Sequence, residues 1–220
     1  MVLALLLLLQ GRLDCSADNS ICIHPGERAE NRGGSPRLRV KGIEHILVLD
    51  FDVAPLKGRV VEEARLWMLP AGEHKLKTMG VSTVAAPWKE NECTFNGPWP
   101  GGGDFHSVAF SRGGSIWTVR DARAEKDGWL SLEIPPPIVH AMVERASHGI
   151  AVSDEKGQTM HNNDVFAREQ SGKTPYLVVK SKPGKAPPSG AKLHKPEPEP
   201  GVVAREFAAS AARACRSRCA

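Results

Sequence analysis

Residues 128–180 begin GWLSLEIPPPIVHAMVERASHGIAVSDEKG (128–157) and end NNDVFAREQSGKTPYLVVK (162–180). Trp129, Leu132 and Ile134 predict a strand that runs into three prolines. Proline cannot donate to a central ladder but suits the first turn of a helix. Ile138, Val139, Met142 and Val143 then recur at helical spacing. Residues 149–153 predict a further strand, residues 161–164 a polar loop, and the PYLVVK run at 175–180 another strand. One short helix set among strands predicts an all-β domain, a jelly-roll-like β-sandwich.

Upstream the same pattern continues. Ile21 and Ile23 predict a short first strand, followed by a loop at Asn31, Gly33, Gly34, Ser35 and Pro36, and Leu38 with Val40 opens the next. In IEHILVLDFDV, residues 43–53, alternation puts Leu47, Leu49, Phe51 and Val53 on one face, with Ile46, Val48, Asp50 and Asp52 on the other. Ala64, Leu66 and Met68 alternate with Arg65, Trp67 and Leu69 in the following strand, and residues 76–84 predict another. Short strands are expected at 107–110 and 115–119. No helix–strand alternation of a parallel α/β fold is present.

The 220 residues suffice for one domain plus appendages. Seventeen prolines and 21 glycines fit turn-rich β structure with a tail. Four parts are expected: an apolar leader at 1–13, the sandwich at 17–180, a Pro/Lys-rich linker at 181–201, and a short C-terminal helical segment at 202–220. The run MVLALLLLL at 1–9 is too short to span a bilayer and reads as the core of a secretory signal, with no transmembrane segment expected. An extracellular or cell-envelope location follows. In an oxidising compartment Cys15 is placed to bridge Cys22, and Cys215 to bridge Cys219, with Cys93 left over. No pair has C-x-x-C spacing, so no metal site built from cysteine is expected. The net charge of +4 is mild, and no basic stripe interleaved with aromatic residues is present, so nucleic acid is not an expected partner.

Several segments jointly resemble the DNRLRE domain family of secreted carbohydrate-binding modules. They are Asn31-Arg-Gly33, the strand from Leu47 to Asp52, Ala64-Arg-Leu66-Trp-Met68, and Trp88-Lys-Glu90-Asn-Glu-Cys-Thr94-Phe95-Asn96. The helix and strand at 138–152, Phe166-Ala-Arg168-Glu169 and Pro175-Tyr176-Leu177-Val-Val179 complete the set, which covers residues 17–180. Phe95 stands where the family pattern has tryptophan more often, and the three prolines before the helix also depart from it. The resemblance implies an extracellular jelly-roll sandwich, joined to other modules, whose relatives bind acidic polysaccharide of the alginate kind.

Trp88, Glu90, Asn96, Trp99, Arg168 and Lys173 are the ligand-binding candidates, Lys173 as a basic residue able to meet an anionic glycan. Trp88, Glu90, Thr94 and Asn96 read either as a sugar-stacking aromatic with polar partners or, the favoured reading, as a loop lock with Glu90 paired to Arg168. Trp99, between prolines and before three glycines, is the candidate for an exposed platform. The Arg168 guanidinium suits a uronate carboxylate. Asp50, Asp52, Asp121, Asp127, Asp154 and Asp164 supply the oxygen ligands that a structural calcium would use. No catalytic residue is assigned: there is no H-E-x-x-H, no G-x-S-x-G and no phosphate-binding loop. The expected role is non-catalytic attachment to a polysaccharide, with an extracellular structural or adhesion module and a polysaccharide-cleaving enzyme as the alternatives.

Overall fold

A computed structural model describes residues 9–155 and 161–194. Most of the expected leader, and the whole helical segment at 202–220, lie outside them. Eleven strands are present among the described residues: β1 (Leu9–Cys22), β2 (Arg37–Val40), β3 (His45–Phe51), β4 (Arg59–Met68), β5 (Thr78–Thr83), β6 (Trp117–Asp121), β7 (Arg123–Ala124), β8 (Leu130–Glu133), β9 (Ile150–Asp154), β10 (Asn163–Phe166) and β11 (Tyr176–Pro183). Nine form one antiparallel sheet in the order β6-β5-β9-β3-β1-β11-β4-β8-β7, and β2 pairs with β10. The result is an all-β, nearly closed jelly-roll-like barrel with two short helices, α1 (Phe105–Val108) and α2 (Pro136–Val143). No described helix is long and apolar enough to cross a membrane.

Two corners close the barrel. β1 pairs with β11 from Leu9 to Asp14, shifts register between Cys15 and Ala17, and pairs with β3 as far as Cys22. At the opposite edge the chain leaves β5 through β6 and, after Ala122 alone, joins β8 through β7. A bulge of the β1 kind bends a strand and lets it serve two sheets. The first strand is therefore much longer than its apolar residues suggest.

The alternation in β3 is realised on both faces. Leu47, Leu49 and Phe51 enter the main core with Leu66, Met68, Leu132, Val152 and Leu177, while Ile46 and Val48 enter a second core. Phe95, Trp99, Phe105 and Val108, carried on the long loop after β5, cover that second face. Each buried aromatic there removes roughly 150–250 Å² from water. The second helix was not expected, because FHSVAF reads as a β-prone run. Asp104 caps α1 instead, accepting from the N–H groups of His106 and Ser107 in a capping box. α2 starts at Pro136 as the triple proline predicts, fills one end of the core with Ile138, Val139 and Met142, and accepts the Val61 N–H on His140 Nε2 at 3.0 Å.

The expected Cys15–Cys22 disulfide does not exist. Cys15, Cys22 and Cys93 are free buried thiols, and Cys215 and Cys219 lie outside the described residues. Seven residues along one extended strand separate Cys15 from Cys22 by roughly 20 Å, far beyond the reach of about 7 Å for a disulfide. The linker is also less detached than its composition implies. Lys192 N–H donates to Gly114 O and His194 N–H to Ala85 O, at 3.0 and 2.8 Å, so residues 184–194 return along the domain.

Gly149, at the entry to β9, has φ +112°, and a Cβ there would lie 2.3 Å from Leu49 O. Gly149→Ala is expected to lose about 2 kcal/mol or more of stability, read as a lower urea midpoint with an unchanged slope. An unchanged midpoint would show that the β3–β9 contact is looser than described.

Candidate functional site

Glu90 and Arg168 meet as the sequence pairs them, whereas Trp88 and Thr94, grouped with Glu90 in sequence, bond elsewhere. β1 brings in Asp18 and Asn19, the following loop Asn31 and Gly33, the long loop Glu90, and the chain after β10 Arg168. Glu90 Oε1 accepts from Asp18 N–H at 2.8 Å and from Arg168 Nε at 2.6 Å, while Oε2 accepts from Arg168 Nη2. Asp18 Oδ2 in turn accepts the Arg168 N–H at 2.7 Å. Asn19 Nδ2 donates to Glu90 O and Cys93 O at 3.1 Å each, and Asn31 Nδ2 to the same two carbonyls at 2.8 Å each. Gly33 lies so near that a Cβ would be 2.1 Å from Glu90 O. Four chain segments are stapled at one point, and the Glu90 oxygens are spent on backbone and guanidinium N–H groups. This is the lock, with Glu90 paired to Arg168.

Electrostatics within the lock are uneven. Asp18 is fully buried, and burial pushes its carboxyl from 3.8 to about 7; the Arg168 N–H opposes this, and the charges of Glu169 and Glu90 add to it. Burial also raises the Glu90 carboxyl, but the Arg168 side-chain hydrogen bonds, the Asp18 N–H and the Arg168 charge outweigh it and hold Glu90 below its ordinary value.

The other candidates are dispersed. Trp88 is half-buried, with Nε1 donating to His148 O at 2.7 Å. Trp99 is only 4% exposed; its Nε1 donates to Phe95 O at 3.3 Å and its ring lies 5.6 Å from Phe105. It plugs the second core rather than standing free as a platform, though its rim joins Trp88, Pro98 and Pro100 in a shallow apolar depression of about 350 Å³. Asn96 is exposed at the tip of the Thr94–Gly97 turn, and the Lys173 ammonium sits 4.0 Å over the Phe166 ring.

Sequence reasoning missed an aromatic face on the outer side of β1, β11, β4 and β8. Tyr176 pairs with Trp67 in the β11–β4 register, and their rings stack at 5.8 Å and 8°. Trp129 meets Tyr176 edge-on at 5.1 Å, and the Arg12 guanidinium lies 3.7 Å above the Tyr176 ring. Arg65 borders the group, donating to Ser131 Oγ, which donates to Glu125. The three rings are half-buried. The signal was present in the outward positions of β4, Arg65 and Trp67, but Arg12 falls inside the stretch read as a leader.

Among the described residues two groups of side chains bring metal-ligating atoms within 4.8 Å of one another: Asp18, Glu90 and Glu169, and Cys22, Glu27 and His45. Neither matches the calcium ligands expected from the aspartates. Asp50 Oδ1 accepts the Phe51 N–H and Asp52 Oδ1 the Ala54 N–H, while Asp121 and Asp164 engage Thr78 and Arg39.

No protein-family model and no curated protein matches the chain. Among solved structures it is similar to one described as "Cryo-EM structure of Mud crab tombus-like virus at 3.3 Angstroms resolution", at 14% identity over 90% of this chain and 85% of that chain, with a TM-score of 0.27. A superposition that loose carries no argument about fold or role.

The lock makes stability depend on pH in two opposite ways. Folded Asp18 holds its proton more tightly than the unfolded chain, so its contribution falls as pH rises from about 3.8 to about 7. Glu90 does the reverse: its contribution is present above the unfolded carboxylate value and is lost as pH falls through its lower folded value. Asp18→Asn is therefore expected to flatten the pH dependence of the thermal midpoint between about 4 and 7. Arg168→Ala is expected to cost about 1.5–3 kcal/mol at neutral pH. An Asp18→Asn profile parallel to that of the parent protein would show that Asp18 is ionised throughout.

Proposed function

We propose that this domain is a non-catalytic structural or adhesion module of a larger extracellular or cell-envelope assembly. The observation that carries this reading is the state of the Glu90–Arg168 cluster. It is the densest group of chemistry-bearing side chains the sequence pointed to, and its oxygens join segments as far apart as Asp18 and Arg168. A carboxylate used as nucleophile or general base needs a free oxygen facing substrate; both Glu90 oxygens are occupied. The residues resembling DNRLRE motifs that meet there, Asn31, Gly33, Glu90 and Arg168, serve to hold the fold together.

A second reading, polysaccharide attachment, is favoured by the aromatic face. Trp67, Trp129 and Tyr176, flanked by Arg12 and Arg65, combine ring surfaces with guanidinium groups suited to a uronate polymer of the alginate kind. This reading places the ligand on the sheet's outer face, away from Trp88 and Trp99, and keeps the likeness to the DNRLRE family as a proposal.

Affinity gel electrophoresis of the full chain on alginate, pectin and neutral glucans, with and without calcium, separates the readings when combined with a reducing-sugar assay. The structural module predicts neither retention nor sugar release from a folded sample. Retention abolished by Trp67→Ala and Trp129→Ala would replace it with the polysaccharide reading. Release of reducing ends would overturn the non-catalytic assignment.

A further inference from the structure

Cys22 and His45 face each other as the last pair of the β1–β3 ladder. Both residues are buried, 1% and 2% exposed, and Cys22 Sγ lies 3.5 Å from His45 Nε2. Immediately after β1 a tight turn, in which the Glu27 and Arg28 N–H groups both donate to His24 O at 2.9 Å, folds Glu27 back over the pair. Glu27 Oε2 is 4.0 Å from His45 Nε2, and thiol, imidazole and carboxylate donor atoms all lie within 4.8 Å of one another. The edges of a zinc tetrahedron built from such ligands measure roughly 3.3–3.8 Å. The three atoms need to close by no more than about an ångström, and Glu27, on a surface turn, is the one able to move.

We propose that Cys22, His45 and Glu27 form a binding site for a divalent transition-metal ion of the zinc class. The donor set selects the metal: a thiolate and an imidazole suit zinc or cobalt, whereas calcium and magnesium require oxygen cages. The protein environment is consistent with this role. His45 Nδ1 is buried with no hydrogen-bond partner, so Nε2, the nitrogen facing Cys22 and Glu27, is the ring atom placed to take an ion. Arg32, which pairs with Glu27, also bonds Glu30 Oε2 at 2.9 Å and keeps that partner when Glu27 turns to the ion. Three protein ligands leave a fourth position at the half-exposed Glu27 side for water. The binding step balances as Cys22–SH plus M²⁺ giving Cys22–S⁻–M²⁺ plus one proton released to solvent. The thiolate and carboxylate then neutralise the ion's two charges.

The test is titration of the reduced full chain with cobalt(II). The expected result is one equivalent bound, with a thiolate-to-cobalt charge-transfer band, the intense visible bands of a tetrahedral ion, and loss of both on adding zinc. Cys22→Ser is expected to abolish the charge-transfer band, and Glu27→Gln, on the surface turn, to weaken binding about tenfold or more. A Cys215→Ser/Cys219→Ser variant is expected to bind unchanged. Absence of the band in folded reduced protein, its survival in Cys22→Ser, or its loss in Cys215→Ser/Cys219→Ser would each overturn the assignment.

Discussion

Among the described residues β1 alone is hydrogen-bonded to both halves of the barrel at its central seam, and the rest of the structure depends on that ladder. Its first half completes the group β11, β4, β8 and β7, and its second half completes β3, β9, β5 and β6. Cys15 N–H still donates to Pro175 O at 2.9 Å where the strand begins to change partner. Unpaired backbone groups in an interior are costly, so the strand cannot leave one sheet before it is engaged by the next. The register shift between Cys15 and Ala17 meets that requirement. Asp18 and Asn19 follow directly after the shift and bond the loops where the lock is built.

The lock and the second core solve one problem together. A strand apolar on both faces, as β3 is, must be covered twice. The main core covers Leu47, Leu49 and Phe51; Ile46 and Val48 rely on a loop. A long loop stays in place only if its backbone polar groups find partners and its ordering entropy is offset. Phe95, Trp99 and Phe105 supply the apolar burial, and Asn19 and Asn31 bind the loop carbonyls of Glu90 and Cys93. The Glu90–Arg168 pair, with one partner largely screened from water and the other a third exposed, then pins the loop to the chain after β10.

What could be read from sequence followed local periodicity. The alternation of β3 and β4, the proline-led helix α2 and the strands β9 and β11 were legible because apolar spacing alone specifies them. β1 was not, because LQGRLDCSADNSIC buries Asp18, Asn19 and Ser20 through hydrogen bonds to distant residues rather than through apolar character. α1 was read as a strand because its cap, Asp104, outweighs the β preference of four residues. Glu90 with Arg168 was reachable through motif resemblance, whereas no local pattern links Arg12 to Tyr176.

Side-chain chemistry in this fold is organised by cross-strand register more than by spacing along the chain. Arg12, Tyr176, Trp67 and Trp129 meet because β1, β11, β4 and β8 are neighbours. Cys22 and His45 meet because the β1–β3 ladder ends on that pair. A C-x-x-C or H-E-x-x-H search detects ligands placed by one helix or one turn. It is blind to ligands placed by an antiparallel ladder, in which the separation in sequence depends only on the length of the intervening excursion. Between Cys22 and His45 that excursion holds the Glu27 turn, the Asn31–Gly33 contact of the lock and the whole of β2. The pairing that sets the barrel's seam thus also brings a thiol and an imidazole face to face, and chemistry and architecture share one ladder.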